Sequence, residues 1–558
     1  MKRCILLLII IVLAKFAFSQ TLFTYGSHSV SKQEFLSSYR KNINVADQNV
    51  KTSIADYLRL YIDYKLKIQD ARDQKLDTLS SQIKDLENYK EHLIPGFLYD
   101  ETILNNLTRE AIERSLHKIH VEYIFIPLVV SEDSTTSLIK AKNIFDKVRK
   151  NISFHSQPDV IKDNKISFYD AGFVTVFSLP YEFENIIFSL NPISSSGIVK
   201  GKNGYYIFQV TEKITSKIYS VNAAQILLAL PPDPSIEEDK EVKNKADSIH
   251  LILINGGDFS NLAKQFSNDR MTAENGGILE EIGLGKYEFD FEKNILNLKK
   301  EGDITPPFKT SFGYHIVKLL HQNYVNEDKN DQANFDFWKQ KVIDDKRVIL
   351  AKEALLLKVK KDFHFKLNNK INQSELIRIT DSFITKGKKI YSTILPHNTL
   401  LFSLNNKHYT LLEWNTFLTS YRTTIIDSVF NNTPAVYTKA FNNLMNIFIN
   451  NMLLNYYKEH LPENNPKFKA LLKEFIDGNL IYEIMNEKIW SKTHSDTLEI
   501  LNYFNENKSK YDQKTFDEVK GSVINDYQKN LEEKWMAELK KKYPVTIITG
   551  TLNSIGNQ

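Results

Sequence analysis

Apolar and polar positions along this chain fall into two rhythms, and the switches between them lay out its elements. Ile54, Leu58, Ile62 and Leu66 recur every four residues, with Tyr57 and Tyr61 beside them, and predict an amphipathic helix. Val519, Val523, Tyr527, Leu531, Trp535 and Leu539 form a longer stripe behind a Thr515-Phe-Asp-Glu518 capping box. That helix should stop before Pro544 and pass into a strand over 545–549. A stripe ending in Trp535 reads as a packing surface rather than a binding site. Near the start, Leu22–Tyr25 and His28–Val30 flank Gly26 and predict a hairpin. A Ser31-Lys-Gln-Glu34 capping box then opens a helix carrying Phe35, Leu36 and Tyr39. Polar helices punctuated by leucine run from about Ser81 to Leu116.

The hairpin-plus-helix order returns near residue 401. Leu401–Leu404, Asn405–Tyr409 and a Thr410–Glu413 cap lead into Trp414 and Phe417–Arg422, echoing Leu22–Arg40. The echo contains a three-residue insertion, about one helical turn. Phe441, Leu444, Phe448, Met452 and Tyr456 supply a further apolar helix. The order reads as a diverged duplication of the N-terminal module, with chance recurrence of a common pattern as the alternative.

With 558 residues the chain exceeds what one core supports, and several domains are expected. Residues 1–19 have the form of a secretory leader: Lys2 and Arg3, the apolar run Ile5–Leu13, and Ala17-Phe18-Ser19 before Gln20. The run is shorter than the about 20 residues that span a bilayer. No later run reaches that length, so no stable membrane insertion is expected after cleavage. Cys4, the single cysteine, precedes the apolar run and lies away from the cleavage point. Disulfides, thiol catalysis and lipid attachment are therefore not expected of the mature chain. The net charge is +4, and three of the positive charges, Lys2, Arg3 and Lys15, lie in the leader, leaving +1. Such a balance offers no electrostatic capture of nucleic acid.

The centre of the chain carries the chemistry. Over 218–321 the pattern predicts a strand at Ala223–Leu230, a helix at 239–254, a short helix through Phe259 and Phe266, and a Gly276-Gly277 turn. A helix at Phe289–Leu298, an edge strand at Ile304–Phe308 and a closing strand at Tyr314–Leu320 complete a small α+β domain. Its polar residues of interest are Asp269, Thr310 and His315, with Leu279, Tyr287 and Phe291 as apolar companions. On residue type alone His315 could equally be a hydrogen-bonded structural histidine and Asp269 a turn cap. No His or Cys cluster has metal spacing, and Gly-Gly lacks the Lys-Ser/Thr of a phosphate loop, so no cofactor is expected.

In order, Gly257-Asp-Phe-Ser-Asn-Leu-Ala, Phe266-Ser-Asn-Asp269, Gly276-Gly277 and Phe308-Lys-Thr-Ser-Phe-Gly-Tyr-His315 resemble the parvulin-type (PpiC-like) peptidyl-prolyl cis-trans isomerases over about a hundred residues. The resemblance implies noncovalent twisting of X-Pro bonds. Asp269, Thr310 and His315 would form the polar network, and Leu279, Tyr287 and Phe291 the proline-binding wall. Gln225 stands where the family's first histidine would be, which implies reduced rather than absent turnover. Residues 117–214 resemble a second, eroded copy, with Tyr123 and Tyr206 in place of both histidines; its expected role is structural or peptide-binding.

The overall order is similar to SurA-type periplasmic folding factors. That likeness implies a periplasmic isomerase and chaperone whose clients are unfolded or extended polypeptides, outer-membrane proteins among them. A non-catalytic holdase whose parvulin-like domains only bind peptide is the competing expectation. The expected fold is α+β multidomain: two parvulin-like domains, each a small antiparallel sheet with flanking helices, between largely helical chaperone-like modules. The expected divisions are a leader at 1–19, a helical module at 20–116, parvulin-like domains at 117–214 and 218–321, and linker and helices at 322–400. A repeat of the first module at 401–505 and a docking helix with its tail at 506–558 follow.

Overall fold

The computed structural model describes residues 20–556 apart from 46–52, 129–133, 149–165, 284–286, 327, 329–330, 387–394, 430–433, 496 and 513. The leader expected at 1–19 lies outside the described residues. The chain divides into two compact units, Met1–Phe97 with Asn442–Gln558, and Leu98–Phe441. Among the described residues no helix is long and apolar enough to cross a membrane.

In the first unit, β1 (Thr21–Tyr25) and β2 (His28–Ser31) form the expected hairpin, with Phe23 opposite Val30. A third strand, Val545–Ile547, pairs antiparallel with the other edge of β1, placing Ile547 opposite Phe23. That strand is shorter than the pattern predicts because a helix, Thr549–Gly556, begins directly after it. Helix Phe516–Lys542 precedes the strand, and its Thr515–Glu518 capping box is formed. Its Trp535, Met536 and Leu539 share one core with Phe35, Tyr57, Leu58, Tyr61, Ile62 and Leu66. Trp535 gives its indole N–H to Asp70 at 3.1 Å, so the polar edge of the ring is satisfied.

The Ser31–Glu34 cap is only half of what its pattern suggests. Ser31 Oγ accepts from the Glu34 N–H at 3.1 Å, but the Glu34 carboxylate turns to Lys65 (2.7 Å) and Lys473 (2.9 Å). A charge-assisted bond to an ammonium outcompetes a backbone amide. Burial alone would raise the Glu34 pKa; the two lysines outweigh it and hold the carboxyl below its ordinary value.

The second unit opens with helix Glu101–Ser115, capped by the Asp100 carboxylate on the Ile103 N–H at 3.0 Å. The first of two small antiparallel sheets follows. Its strands are β3 (His117–Pro127), β4 (Ser167–Val174), β5 (Ser194–Ser195), β6 (Val199–Lys200) and β7 (Gly204–Thr215). They run in the order β4-β3-β7-β5, with β6 also on β7. Helices Ser134–Val148 and Tyr181–Ser189 pack on this sheet through Ala141 and Ile144, and through Phe183 and Ile187.

The second sheet consists of β8 (Ile218–Ala229), β9 (Ile282–Gly283), β10 (Phe308–Thr310) and β11 (Gly313–Tyr324), in the order β10-β11-β8-β9. β8 and β11 exceed the predicted 223–230 and 314–320 because they pair with each other from Ala229–Gly313 to Ile218–Tyr324. The segment 322–324, expected as linker, is therefore strand. The predicted edge strand at 304–308 is instead a single bridge, Ile304 to Lys318, with β10 beginning only at Phe308. Pro306 and Pro307, which lack an N–H, interrupt the ladder between them.

The pairing registers make the two sheets counterparts. Gly204 faces Pro127 as Gly313 faces Ala229, which matches Tyr123 to Gln225 and Tyr206 to His315. Val199 faces Tyr206 as Phe308 faces His315, which matches Gly201 to Thr310. Ser196 donates its N–H to Phe208 O and takes the Phe208 N–H on its hydroxyl. Thr305 does the same with Val317.

Helices Gln332–Asp344 and Val348–Asp362 follow, and bury Trp338, Val342 and Ala351 against Leu104, Leu107 and Ala111 of Glu101–Ser115. A third sheet, β12 (Lys366–Leu367), β13 (Leu400–Leu404) and β14 (Lys407–Thr410), is ordered β12-β13-β14. Like the sheet built on β1 and β2, it is a hairpin whose first strand takes a third strand on its free edge. Here the capping pattern is satisfied locally, with Glu413 accepting from the Thr410 N–H at 2.8 Å.

Candidate active site

β8 and β11 lie side by side, so Gln225, Leu227 and His315 project from one face of the second sheet. The loop bearing Asp269 is stapled to that face. Ser267 Oγ accepts from the N–H groups of Leu227 (3.2 Å) and Asp269 (3.3 Å). Asn268 gives its N–H to Leu227 O at 2.7 Å and accepts from the Ala229 N–H at 3.0 Å. Gly277, at φ +82°, presses against β8; a Cβ there would lie 2.3 Å from Gln225 O, so only glycine fits.

The polar groups form one directed chain. Asp269 is an obligate acceptor and takes the Gln225 amide N–H at 2.7 Å and the Thr272 hydroxyl at 2.6 Å. Gln225 Oε1 is thereby left to accept, and His315 Nδ1–H donates to it at 3.1 Å. His315 Nε2 is then the acceptor, taking the Thr310 hydroxyl at 2.8 Å. Burial pushes His315 down to about 4, against the opposing pull of Glu288 and Asp269, so the ring is neutral at physiological pH. Burial alone would raise Asp269; the bonds from Thr272, Gln225 and the backbone outweigh it and hold the carboxyl below its ordinary value. Gln225 thus carries a fixed donor–acceptor direction from Asp269 to His315.

Rings enclose the network. Phe308 stacks on His315 (centroids 5.5 Å), Phe291 meets it edge-on (5.1 Å), and Tyr287 stacks on Phe291 (4.9 Å). Beside them is a cavity of about 240 Å³. Of the residues singled out from sequence, Gln225, Asp269, Thr310, His315, Tyr287 and Phe291 line it. Leu279 does not: its N–H bonds Ala223 O at 2.9 Å and its side chain is buried with Phe291, Val221 and Val317, behind the wall rather than on it. Leu227, Glu288 and Phe312 also line the cavity and were not anticipated. Leu227 was accessible to strand periodicity, being two residues from Gln225 on the same face; Glu288 and Phe312 carry no comparable signal.

The equivalent face of the first sheet is filled by rings. Tyr123 stacks on Tyr169 (4.9 Å), and Tyr206 packs against Phe183 (4.8 Å) and Phe125 (4.9 Å). Gly201 stands where the second sheet has Thr310, and a Cβ on it would lie 2.6 Å from Tyr206 Cε2. A histidine does occur nearby, but elsewhere in the register. His120 bonds Asp170 at 2.9 Å and the Thr211 hydroxyl, tying β3 to both neighbours.

The two sheets also differ in what the glutamate of the Phe183-Glu184 and Phe291-Glu292 pairs on their packed helices holds. In the second, Glu292 accepts the Tyr287 N–H at 3.0 Å. In the first, Glu184 accepts the Phe177 N–H at 2.9 Å and is also gripped by both Nη atoms of Arg347 (2.7 and 3.1 Å) and by Arg114 (2.8 Å). The Arg347 guanidinium lies 4.2 Å from the Phe177 ring centre and 4.7 Å from that of Tyr181.

Residues 226–321 match the rotamase family, described as a PPIC-type PPIASE domain. The chain is 24% identical over 253 residues to the chaperone SurA of Nitrosococcus oceani, a stretch covering 44% of this chain and 58% of that one. It is 46% identical over 77 residues to foldase protein PrsA 2 of Listeria innocua, covering 14% of this chain and 26% of that one. A crystal structure of the peptidylprolyl isomerase PrsA from Bacillus anthracis covers 27% of this chain and 64% of its own, at 26% identity. Its TM-score of 0.18 is too low to bear on the arrangement of the whole. The chain therefore carries a parvulin-type peptidyl-prolyl isomerase domain. In its wider sequence it resembles the SurA chaperones, about half of whose length it matches.

Proposed function

We propose that the chain is a periplasmic folding factor that isomerises X-Pro bonds in the 218–321 domain and holds unfolded or extended polypeptides, outer-membrane proteins among them. The observation that carries this is the unbroken chain Asp269–Gln225–His315–Thr310 beside an open, ring-walled cavity, within a stretch that matches the rotamase family. Rotation about X-Pro must break amide conjugation, a barrier of ~18–20 kcal/mol. Tyr287 and Phe291 grip the prolyl ring through their stacked aromatic faces. The twisted amide is less dipolar than either planar form, so an apolar wall beside a fixed carboxylate and a neutral imidazole favours it. A thousandfold acceleration requires only about 4 kcal/mol of such preference. In the first unit a cavity of about 610 Å³ walled by Tyr57, Tyr61 and Tyr64, with Leu60 exposed at its mouth, is a suitable place for a client segment.

The holdase alternative is favoured by one observation, glutamine at position 225. Isomerisation of a short Xaa-Pro peptide by the full chain, beside suppression of aggregation of an unfolded outer-membrane protein, separates the two. Catalysis abolished by Asp269→Ala, with aggregation suppression retained, is the expected result. An uncatalysed rate in the unaltered chain, with suppression intact, leaves the holdase.

A further inference from the structure

The cavity that would take the prolyl ring is lined by two carboxylates and, among the described residues, by no lysine or arginine. Among the described residues, neither carboxylate is neutralised by an ion pair. Asp269 accepts from the neutral side chains of Gln225 and Thr272. Glu288 accepts from the Ser311 N–H at 3.0 Å and from the Ser311 hydroxyl. Bonds from neutral donors hold a carboxylate in place and leave its charge standing. Lys309, beside Thr310 on β10, is committed to Asp239. Among the described residues, the charges that act on the two titratable rings of the cavity are negative: Glu288 and Asp269 on His315, and Glu280, Asp269 and Glu292 on Tyr287. At the mouth, Tyr287 and Phe312 keep 37% and 63% of their surface exposed, and such ring faces attract cations.

We propose that this site, given the isomerase assignment above, selects X-Pro bonds preceded by lysine or arginine and disfavours those preceded by glutamate or a phosphorylated residue, with Glu288 as the main specificity determinant. Asp269 shares the same field but also belongs to the polar network, whereas Glu288 stands at the rim, where its charge acts on the incoming residue.

The test is the isomerisation of short peptides differing only in the residue before proline (Lys, Arg, Leu, Glu and phosphoserine), with the full chain, at low and at high salt. At low salt kcat/KM for the Lys and Arg peptides should exceed that for the Glu peptide by about tenfold, and molar salt should shrink the ratio to about two- or threefold. Glu288→Gln keeps an acceptor facing Ser311 and should reduce the low-salt ratio by about threefold. Equal values for the Lys and Glu peptides, or a ratio indifferent to both salt and Glu288→Gln, overturn the proposal. If no peptide is isomerised above background, the isomerase assignment fails, and the dissociation constants of the same peptides decide the charge preference separately. About tenfold tighter binding of the Lys peptide at low salt keeps it, and equal binding overturns it.

Discussion

The two sheets of the second unit share a scaffold and differ in what stands on it. Ser196 and Thr305 make the same pair of bonds to their closing strands, and Glu184 and Glu292 each hold the N–H of a residue in the preceding loop. The positions facing the cavity have diverged completely: Gln225, Thr310 and His315 on one sheet, Tyr123, Gly201 and Tyr206 on the other. The bonds that hold the fold and the groups that would do the chemistry occupy different residues, so the second set could be lost without the first. What the first sheet has in exchange is an ion pair. Arg347 and Glu184 are each 1% exposed, and Arg347 belongs to the segment leading into Val348–Asp362. The first sheet is thereby keyed to the helices, while the second keeps its loop face open.

Three perturbations probe this contrast, in order of size. Glu184→Ala leaves Arg347 buried without its bidentate partner and should cost about 3–5 kcal/mol in the unfolding of the second unit. Hydrogen exchange of β7 and of the Trp338 helix should report that loss together. A cost below about 1 kcal/mol would mean that the ion pair does not key the sheet to the helices.

The second perturbation is pH, and it acts on the other sheet. His315 has a folded pKa of about 4 against 6.5 for a free imidazole, so between those values the unfolded chain binds the extra proton. Its contribution to stability is complete above about pH 6.5 and is lost as pH falls towards 4, roughly 3 kcal/mol in all. Isomerisation should stay level from pH 8 to 5 and fall only as His315 charges near pH 4. The stability slope should vanish in His315→Gln; an unchanged slope there would assign it to other groups.

Third, Ser196→Ala and Thr305→Val each strip a buried hydroxyl from a strand N–H and should cost about 1–2 kcal/mol, in like amounts. Clearly unequal costs would undo the equivalence of the two scaffolds.

What could be read from the chain beforehand followed the range of each interaction. Helix stripes, the Thr515–Glu518 box and the Gly276-Gly277 turn depend on neighbours a few residues away, and these formed as their patterns suggest. The strand Val545–Ile547 lies on β1 because the long helix before it had to bury its apolar stripe, and a strand with a free edge stood nearby. Glu34 shows the limit. Its cap is a local rule, but two lysines, one of them far along the chain, offered a stronger bond. The Arg347–Glu184 pair joins residues 163 positions apart and has no local signature. Within the candidate site the spacing of Asp269, Thr310 and His315 was legible because it resembles a family. Whether Gln225 would join them was not, since that depends on an amide turning its N–H to Asp269 and its oxygen to His315. Leu279 was assigned to the wall from the same resemblance, although its side chain packs into the core with Val221, Phe291 and Val317.

The central claim is that the chemistry resides on the second sheet and has left the first. It is tested most directly by measuring kcat/KM for a Lys-Pro peptide in the full chain beside His315→Ala and Tyr123→Ala, with folding of each variant checked by hydrogen exchange. Catalysis should fall to the uncatalysed rate in His315→Ala and stay within about twofold in Tyr123→Ala, a change of less than about 0.4 kcal/mol in the barrier. Activity that survives His315→Ala, or that disappears with Tyr123→Ala in a folded chain, would contradict the account.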